Sequence, residues 1–267
     1  MMRFLKSLLR VSRSVARQSV WKNPRIYRAL GLAKKRYLKE FDEPQDFFVF
    51  GFPRSSNTYC GYYLKLNLRS QLRLLFQLHL PPMVIEVLNR GIPHMLVIRN
   101  PKDCAKSYAI MCGSPVLDQL DYYIDFHSCL LRYRECLFIV PFEDSTKRIR
   151  DVFKELETRF SIDLECAYSP AEAESRTRKA ILEGATDRDG TVNHRHYHLP
   201  SDQRLTMARS LEAEFLLPEV AARLQTAENL YREFLKFRVP LPAIDPSAAV
   251  GSKESCNRPL KVEERIA

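Results

Sequence analysis

Four short apolar runs, at residues 46–50, 74–79, 94–99 and 137–141, alternate with stretches of helical character, and that alternation leaves few folds open to the chain. Each run is close to continuously apolar, the pattern of a strand covered on both faces. Parallel strands must be joined by long crossovers, and helical stretches at 58–69, 83–89, 103–112 and 143–160 supply them. The expectation is an α/β fold, a three-layer α/β/α domain with a central, mostly parallel sheet. Residues 170–184 and 201–237 also read as helices, which makes the second half of the chain helical, with a polar stretch between them. Ligands of such sheets bind at the carboxyl ends of the strands, so chemistry is sought in the loops that follow the runs.

The first run empties into Gly51-Phe52-Pro53-Arg54-Ser55-Ser56-Asn57-Thr58-Tyr59. Small hydroxyl residues that open a helix present backbone N–H groups and the positive end of the helix dipole, a setting that suits phosphate or sulfate, and Arg54 adds a fixed charge. An ordinary strand-to-helix turn with an N-cap serine fits the same residues. The pattern G-x-x-x-x-G-K-[ST] is missing, which weighs against ATPase or GTPase chemistry. The third run ends in Arg99-Asn100-Pro101-Lys102-Asp103-Cys104-Ala105-Lys106-Ser107-Tyr108. A guanidinium at the strand edge and a hydroxyl in the following helix can close on one phosphate from two sides. A solvated arginine and a plain helix serine are the alternative.

Together with Gln77-Leu78-His79-Leu80-Pro81 and Val140-Pro141-Phe142-Glu143-Asp144, in the same order, these segments resemble the signatures of the sulfotransferases that use 3′-phosphoadenosine 5′-phosphosulfate (PAPS), over residues 46–155. The resemblance implies a P-loop NTPase-like domain, PAPS as co-substrate and no metal. It implies transfer of a sulfuryl group to a hydroxyl or amine of a small-molecule, lipid or carbohydrate acceptor. On this likeness Arg54 stands where a catalytic lysine meets the bridging and sulfonate oxygens, and Ser55, Ser56, Asn57 and Thr58 cradle the 5′-phosphosulfate. Tyr59 and Phe142 take aromatic positions beside the nucleotide, and Arg99 and Ser107 bind the 3′-phosphate. His79 matches the residue that takes the acceptor's proton, a task for which imidazole is best poised near neutral pH. A histidine between two leucines is also a common core residue, and Glu86 and Asp103 are other proton acceptors.

The chain departs from the family pattern at Ser56, where glycine is usual, at Arg54, and in lacking a late R-K-G…G-D-W-K-N segment. Asn193-His194-Arg195-His196-Tyr197-His198 is the candidate replacement, with Arg195 donating to the 3′-phosphate. Three histidines there without nearby acids or cysteines make a poor metal site.

Net charge is +10, yet residues 1–40 alone hold twelve Lys/Arg against one acid, so the excess speaks for that end and not for nucleic-acid binding by the whole chain. The expected division is a basic arm over 1–40, a sulfotransferase domain over 41–238 and a loose tail over 239–267. Within residues 3–21, Phe4, Leu8, Val11 and Val15 form one helical stripe, and Lys6, Arg10, Arg13 and Arg17 the opposite one. Such a helix lies on an anionic membrane surface, docks on the body by its apolar stripe, or serves as a transit peptide. Seven cysteines, odd in number and without a C-x-x-C pair, favour a reducing compartment. With no apolar run of about 18 residues or more, the expectation is a cytoplasmic protein, at most peripheral to a membrane. Rival functions are a P-loop-like nucleoside or phosphometabolite kinase and an inactive, membrane-apposed nucleotide-binding protein.

Overall fold

The computed structural model describes residues 12, 14–31, 41–187, 190–194, 197, 199 and 201–242. The four apolar runs form β1 (Phe47–Gly51), β2 (Leu74–Leu78), β3 (His94–Ile98) and β4 (Ile139–Pro141). They pair in the order β2-β1-β3-β4, and every pairing is parallel. Ahead of β1 lie α1 (residues 14–21) and α2 (Pro24–Ala29). The crossovers are α3 (Asn57–Asn67), α4 (Pro81–Asn89), and the pair α5 (Pro101–Cys112) and α6 (Val116–Leu130). After β4 come α7 (Phe142–Lys147), α8 (Ile149–Phe160), α9 (Pro170–Glu183), α10 (Asp202–Ser210) and α11 (Pro218–Leu235).

Successive side chains of a strand point to opposite faces, and the core divides accordingly. Phe48, Phe50, Leu96, Ile98 and Ile139 join an apolar cluster with α4, α5, α6 and α11. Phe47, Val49, Met95, Val97 and Val140 join a second cluster with α3, α8 and α9. Helices therefore cover both faces, and each large apolar side chain so enclosed contributes about 1.5–3 kcal/mol. Local chemistry sets the helix starts. Proline opens α2, α4, α5, α9 and α11, while Asn100, Ser169 and Ser201 cap α5, α9 and α10 with side-chain oxygens.

Three expectations need correction. The single helix expected over 143–160 is two, broken at Arg148. Just before the break the Ser145 and Thr146 hydroxyls both donate to the Phe142 carbonyl, in competition with the helix ladder. The helix expected over 201–237 is likewise interrupted, by a 3₁₀ turn at Glu212–Leu216 and by Pro218. The third concerns the arm. In α1 the face against the body is Ser14, Arg17, Gln18 and Trp21, spaced i, i+3, i+4 and i+7, and Val15 is 60% exposed. Of the two expected stripes only Val15 and Arg17 are described, and they lie the other way round: Arg17 faces inward and pairs with Asp125 at 3.0 Å. Residues 1–11, 13 and 32–40 of the arm, and 243–267 of the expected tail, lie outside the described residues.

His127 is fully buried on α6 among Phe52, Tyr123, Phe126 and Phe234. Its Nδ1–H donates to the Tyr123 carbonyl at 2.9 Å, and Nε2 has no partner among the described residues. Burial holds this imidazole down at about 4. The unfolded chain therefore takes up a proton that the native state refuses, so stability is complete above the ordinary imidazole range and is lost as pH falls toward 4. Between pH 7 and pH 5 this one group removes about 2 kcal/mol. Urea unfolding at both pH values checks it: His127→Phe shrinks the acid-induced loss by that amount, and an unchanged loss assigns the sensitivity elsewhere.

Candidate functional site

β1 leads into a turn that bends through two left-handed residues, Arg54 (φ 72°) and Ser56 (φ 68°). Non-glycine residues there cost about 1–2 kcal/mol each and persist only where other bonds fix the turn. Asn57 Nδ2 donates to the Gly51 and Phe52 carbonyls at 3.1 and 3.4 Å, and the Ser55 N–H donates to Phe52 O at 3.2 Å. The Ser145 hydroxyl is committed to Phe142 O, so Ser56, 2.7 Å away, is the donor to Ser145. Gly51 is needed for its size: a Cβ would overlap the Asn57 side chain and the Val97 carbonyl oxygen. Because α3 starts at Asn57, its first-turn N–H groups lack acceptors within the helix, and Ser56, Asn57, Thr58 and Tyr59 all line a cavity of about 590 Å³.

Three arginines meet at one wall of this cavity. Arg99, at the end of β3, lays its guanidinium 4.2 Å from the Phe142 ring centre and donates to the Arg54 carbonyl at 2.9 Å. Arg54 Nε and Arg204 Nη2 both donate to Ser107 Oγ, at 3.0 and 2.9 Å. Arg54 also reaches the Tyr197 carbonyl at 2.7 Å, and Arg204 the His194 carbonyl at 2.9 Å. The Ser107, Tyr197 and His194 oxygens that accept these bonds are neutral. Burial first, then the fields of Arg204 and Arg99, pulls the Arg54 guanidinium down to about 9, and burial followed by Arg99 lowers Arg204. The cluster still carries positive charge at neutral pH, and an anion with several oxygens relieves its mutual repulsion. The likeness places Arg54 and Ser107 at opposite ends of one nucleotide; here they are bonded directly, so Arg54 joins the cradle by its backbone to the cluster by its side chain.

His79 reaches the cavity because β2 carries a bulge. The pairing with β1 shifts between Val49 and Phe50, Phe50 faces Leu78, and Gln77 adopts a left-handed φ of 69°. In a regular strand Leu78 would come opposite Gly51; the extra residue brings His79 there. His79 Nδ1 lies 2.7 Å from the Gly51 carbonyl. A carbonyl only accepts, so Nδ1 carries the proton and Nε2 keeps its lone pair. Burial, reinforced by the Arg54 charge, holds the ring at about 4, so it is neutral at physiological pH. Of the other proton acceptors, Glu86 is taken up by Arg28 and Arg90, and Asp103 is an exposed residue at the cavity wall.

Arg54, Ser56, Asn57, Thr58, Tyr59, His79, Arg99, Ser107 and Phe142 thus line a single cavity. Ser55 lies buried outside its lining, its hydroxyl 3.1 Å from Cys104 Sγ. Arg195, His196 and His198 lie outside the described residues. Tyr59 donates its hydroxyl to Glu174, and Thr58 Oγ1 accepts from Gln77 at 3.1 Å, which leaves the threonine proton available. The cavity also has an apolar lining, from Tyr108, Ile110 and Met111 of α5 and Leu205 and Ala208 of α10. Arg204 escaped the sequence reading. The local signal for it was a cation in the first turn of a Ser201-capped helix, where the dipole disfavours positive charge. Among the described residues no group of three or more His, Cys, Asp or Glu is placed to hold a metal ion, and no helix is long and apolar enough to cross a membrane. Comparison with family models, curated proteins and solved structures finds no match to this chain.

Replacing Gly51 by alanine forces Asn57 or β3 to move and lowers stability by about 1–3 kcal/mol, read from the urea midpoint. A midpoint equal to wild type shows that the turn does not depend on this close approach.

Proposed function

We propose that this chain is a P-loop-like sulfotransferase of three-layer α/β/α build, moving a sulfuryl group from PAPS to an acceptor hydroxyl. The observation that carries the reading is the meeting of Arg54 and Arg204 on Ser107, with Arg99 on the Arg54 carbonyl, in the cavity onto which the first turn of α3 and a neutral His79 open. The donor supplies an activated sulfuryl group between two anionic ends joined by an adenosine. The N–H groups at Ser56–Tyr59 suit its 5′ end, Arg99, Ser107 and Arg204 suit a 3′-phosphate, and Tyr59 and Phe142 offer rings to a base.

The acceptor oxygen bonds to sulfur as the bond from sulfur to the 5′-phosphate oxygen breaks, and the acceptor proton passes to His79 Nε2. Negative charge then grows on the departing phosphate oxygen, where the N–H groups and the dipole at the start of α3 stabilise it. The fixed tautomer of His79 aims its lone pair, though a base held near 4 is weak, so positioning and charge carry most of the catalysis. The wall of Tyr108, Met111, Leu205 and Ala208 favours a hydroxyl on an apolar body over a carbohydrate.

Calorimetry tests the binding half. Wild type binds adenosine 3′,5′-bisphosphate more tightly than AMP, and Arg99→Ala and Arg204→Ala each weaken the bisphosphate by about ten- to a hundredfold while sparing AMP. Equal losses on both nucleotides remove the residue from the 3′-phosphate. No preference in wild type, with Mg²⁺-dependent binding of ATP, points to a kinase instead.

Kinetics test the other half. His79→Ala lowers kcat by about a hundredfold or more with bisphosphate affinity unchanged. In wild type kcat/KM holds its neutral-pH value down to about pH 5 and falls below that as His79 protonates. Full turnover without His79 ends its role as base.

A further inference from the structure

The backbone carbonyls of His79 and Arg99 lie just beyond the ends of β2 and β3, past the last ladder pairing. Both are held from one place, α6. Tyr122 donates its hydroxyl to the His79 carbonyl at 3.1 Å, and Tyr123 donates to the Arg99 carbonyl at 3.0 Å. Tyr123 is fully buried, but Tyr122 owes its setting partly to the amino-terminal arm. The Trp21 ring meets it edge-on with centres 5.6 Å apart, and the Arg17 guanidinium lies 5.6 Å from the centres of both rings. On its other sides Tyr122 packs against Phe52 and Tyr108, with ring centres at 5.1 and 6.1 Å.

What anchors the arm there is Asp125, a carboxylate whose side chain is 1% exposed. A buried carboxylate is tolerated only when its oxygens are supplied with donors. Among the described residues its donors all come from α1: Arg17 at 3.0 Å, Gln18 at 2.8 Å, and the Ser14 hydroxyl. The same arginine that neutralises Asp125 therefore covers Tyr122. The side chain of His79 is fixed by Gly51 at Nδ1, so the remaining freedom of Nε2 is that of its backbone, which Tyr122 restrains.

We infer that α1 is a positioning element of the site: Arg17 and Trp21, seated on Asp125, hold Tyr122 so that its hydroxyl fixes the backbone of His79. The kinetic consequence rests on the proposed sulfuryl transfer; the geometric one does not. A displacement of about 1 Å at a reacting group costs up to a hundredfold in rate, so loosening the arm lowers kcat while the nucleotide cradle, built on β1 and α3, keeps its affinity.

The experiment compares full-length wild type with Tyr122→Phe, Arg17→Met and the double variant. In the singles kcat falls about tenfold, while KM for PAPS and Kd for adenosine 3′,5′-bisphosphate stay within about twofold. The double variant is no slower than the slower single, because the two residues act through one contact. In parallel, NMR of ring-labelled histidine follows His79 without any turnover: its resonances move and its titration rises in both single variants. Folded variants with wild-type kcat and unmoved His79 resonances overturn the inference, as does a bisphosphate affinity that falls in step with kcat. If wild type turns over no acceptor, the sulfuryl-transfer reading fails, and the resonances alone decide the positioning role. Should Arg17→Met not fold, Arg17→Lys serves, since it keeps a charge toward Asp125 and loses the flat guanidinium face over Tyr122.

Discussion

One peptide carbonyl organises the carboxyl edge of the sheet. Gly51 O accepts from Asn57 Nδ2, which ties the turn to the start of α3, and from His79 Nδ1, which ties in the end of β2. Its own place is set by the pairing of Gly51 with Val97 on β3. Two lone pairs allow the double duty, and the absent Cβ leaves room for it. Three elements far apart in sequence are thereby referred to one atom, and the tautomer of the candidate base follows from its being an acceptor.

Around that atom the chain accepts strain and like charge together. Of the four non-glycine residues with positive φ among those described, Arg54, Ser56 and Gln77 lie at this edge. Three arginines share the same wall, two of them shifted downward by burial and by one another. Each is a local violation of what favours folding, and the two apolar clusters on the faces of the sheet offset them. Strain and repulsion gathered in one cavity, instead of scattered over the surface, mark that cavity as the place where the chain gave up stability for something else.

Where the sequence was legible, the physics was local. The near-continuous apolar runs place all four strands to within two residues, and the small-residue segment after β1 announces the turn that opens α3. Strand order, by contrast, is set by packing between distant segments and leaves no local mark. Helix α6 went unanticipated because Gln119, Asp125 and His127 interrupt its apolar pattern. Those polar groups find partners at Ser114, on the arm and at the Tyr123 carbonyl, and only the first and last are near in sequence. The arm shows why periodicity can pick the wrong face. Seating Val15 is worth about 1.5 kcal/mol, whereas a buried Asp125 without its cation costs about 3–5 kcal/mol, so Arg17 turns inward. Arg204 was missed because its partner Ser107 is 97 positions away.

The way α10 is held bears on how the cavity responds to an anion. Arg204 is its one buried residue, and Leu205 stands 52% exposed, so little apolar surface fastens this helix. What holds it is polar: Arg204 on Ser107 and on the His194 carbonyl, and, from the turn that follows, Glu212 on Lys102 and Lys106 at 2.9 and 2.5 Å. Elements docked by few apolar contacts open at low free energy. The repulsion among Arg54, Arg99 and Arg204 opposes that docking, and an anion shared among them removes the repulsion. By linkage, whatever anion binds there also fastens α10 and the apolar wall it carries. The apolar lining that α10 carries is then completed by an anion on the arginine wall, an order of assembly that follows from charge alone.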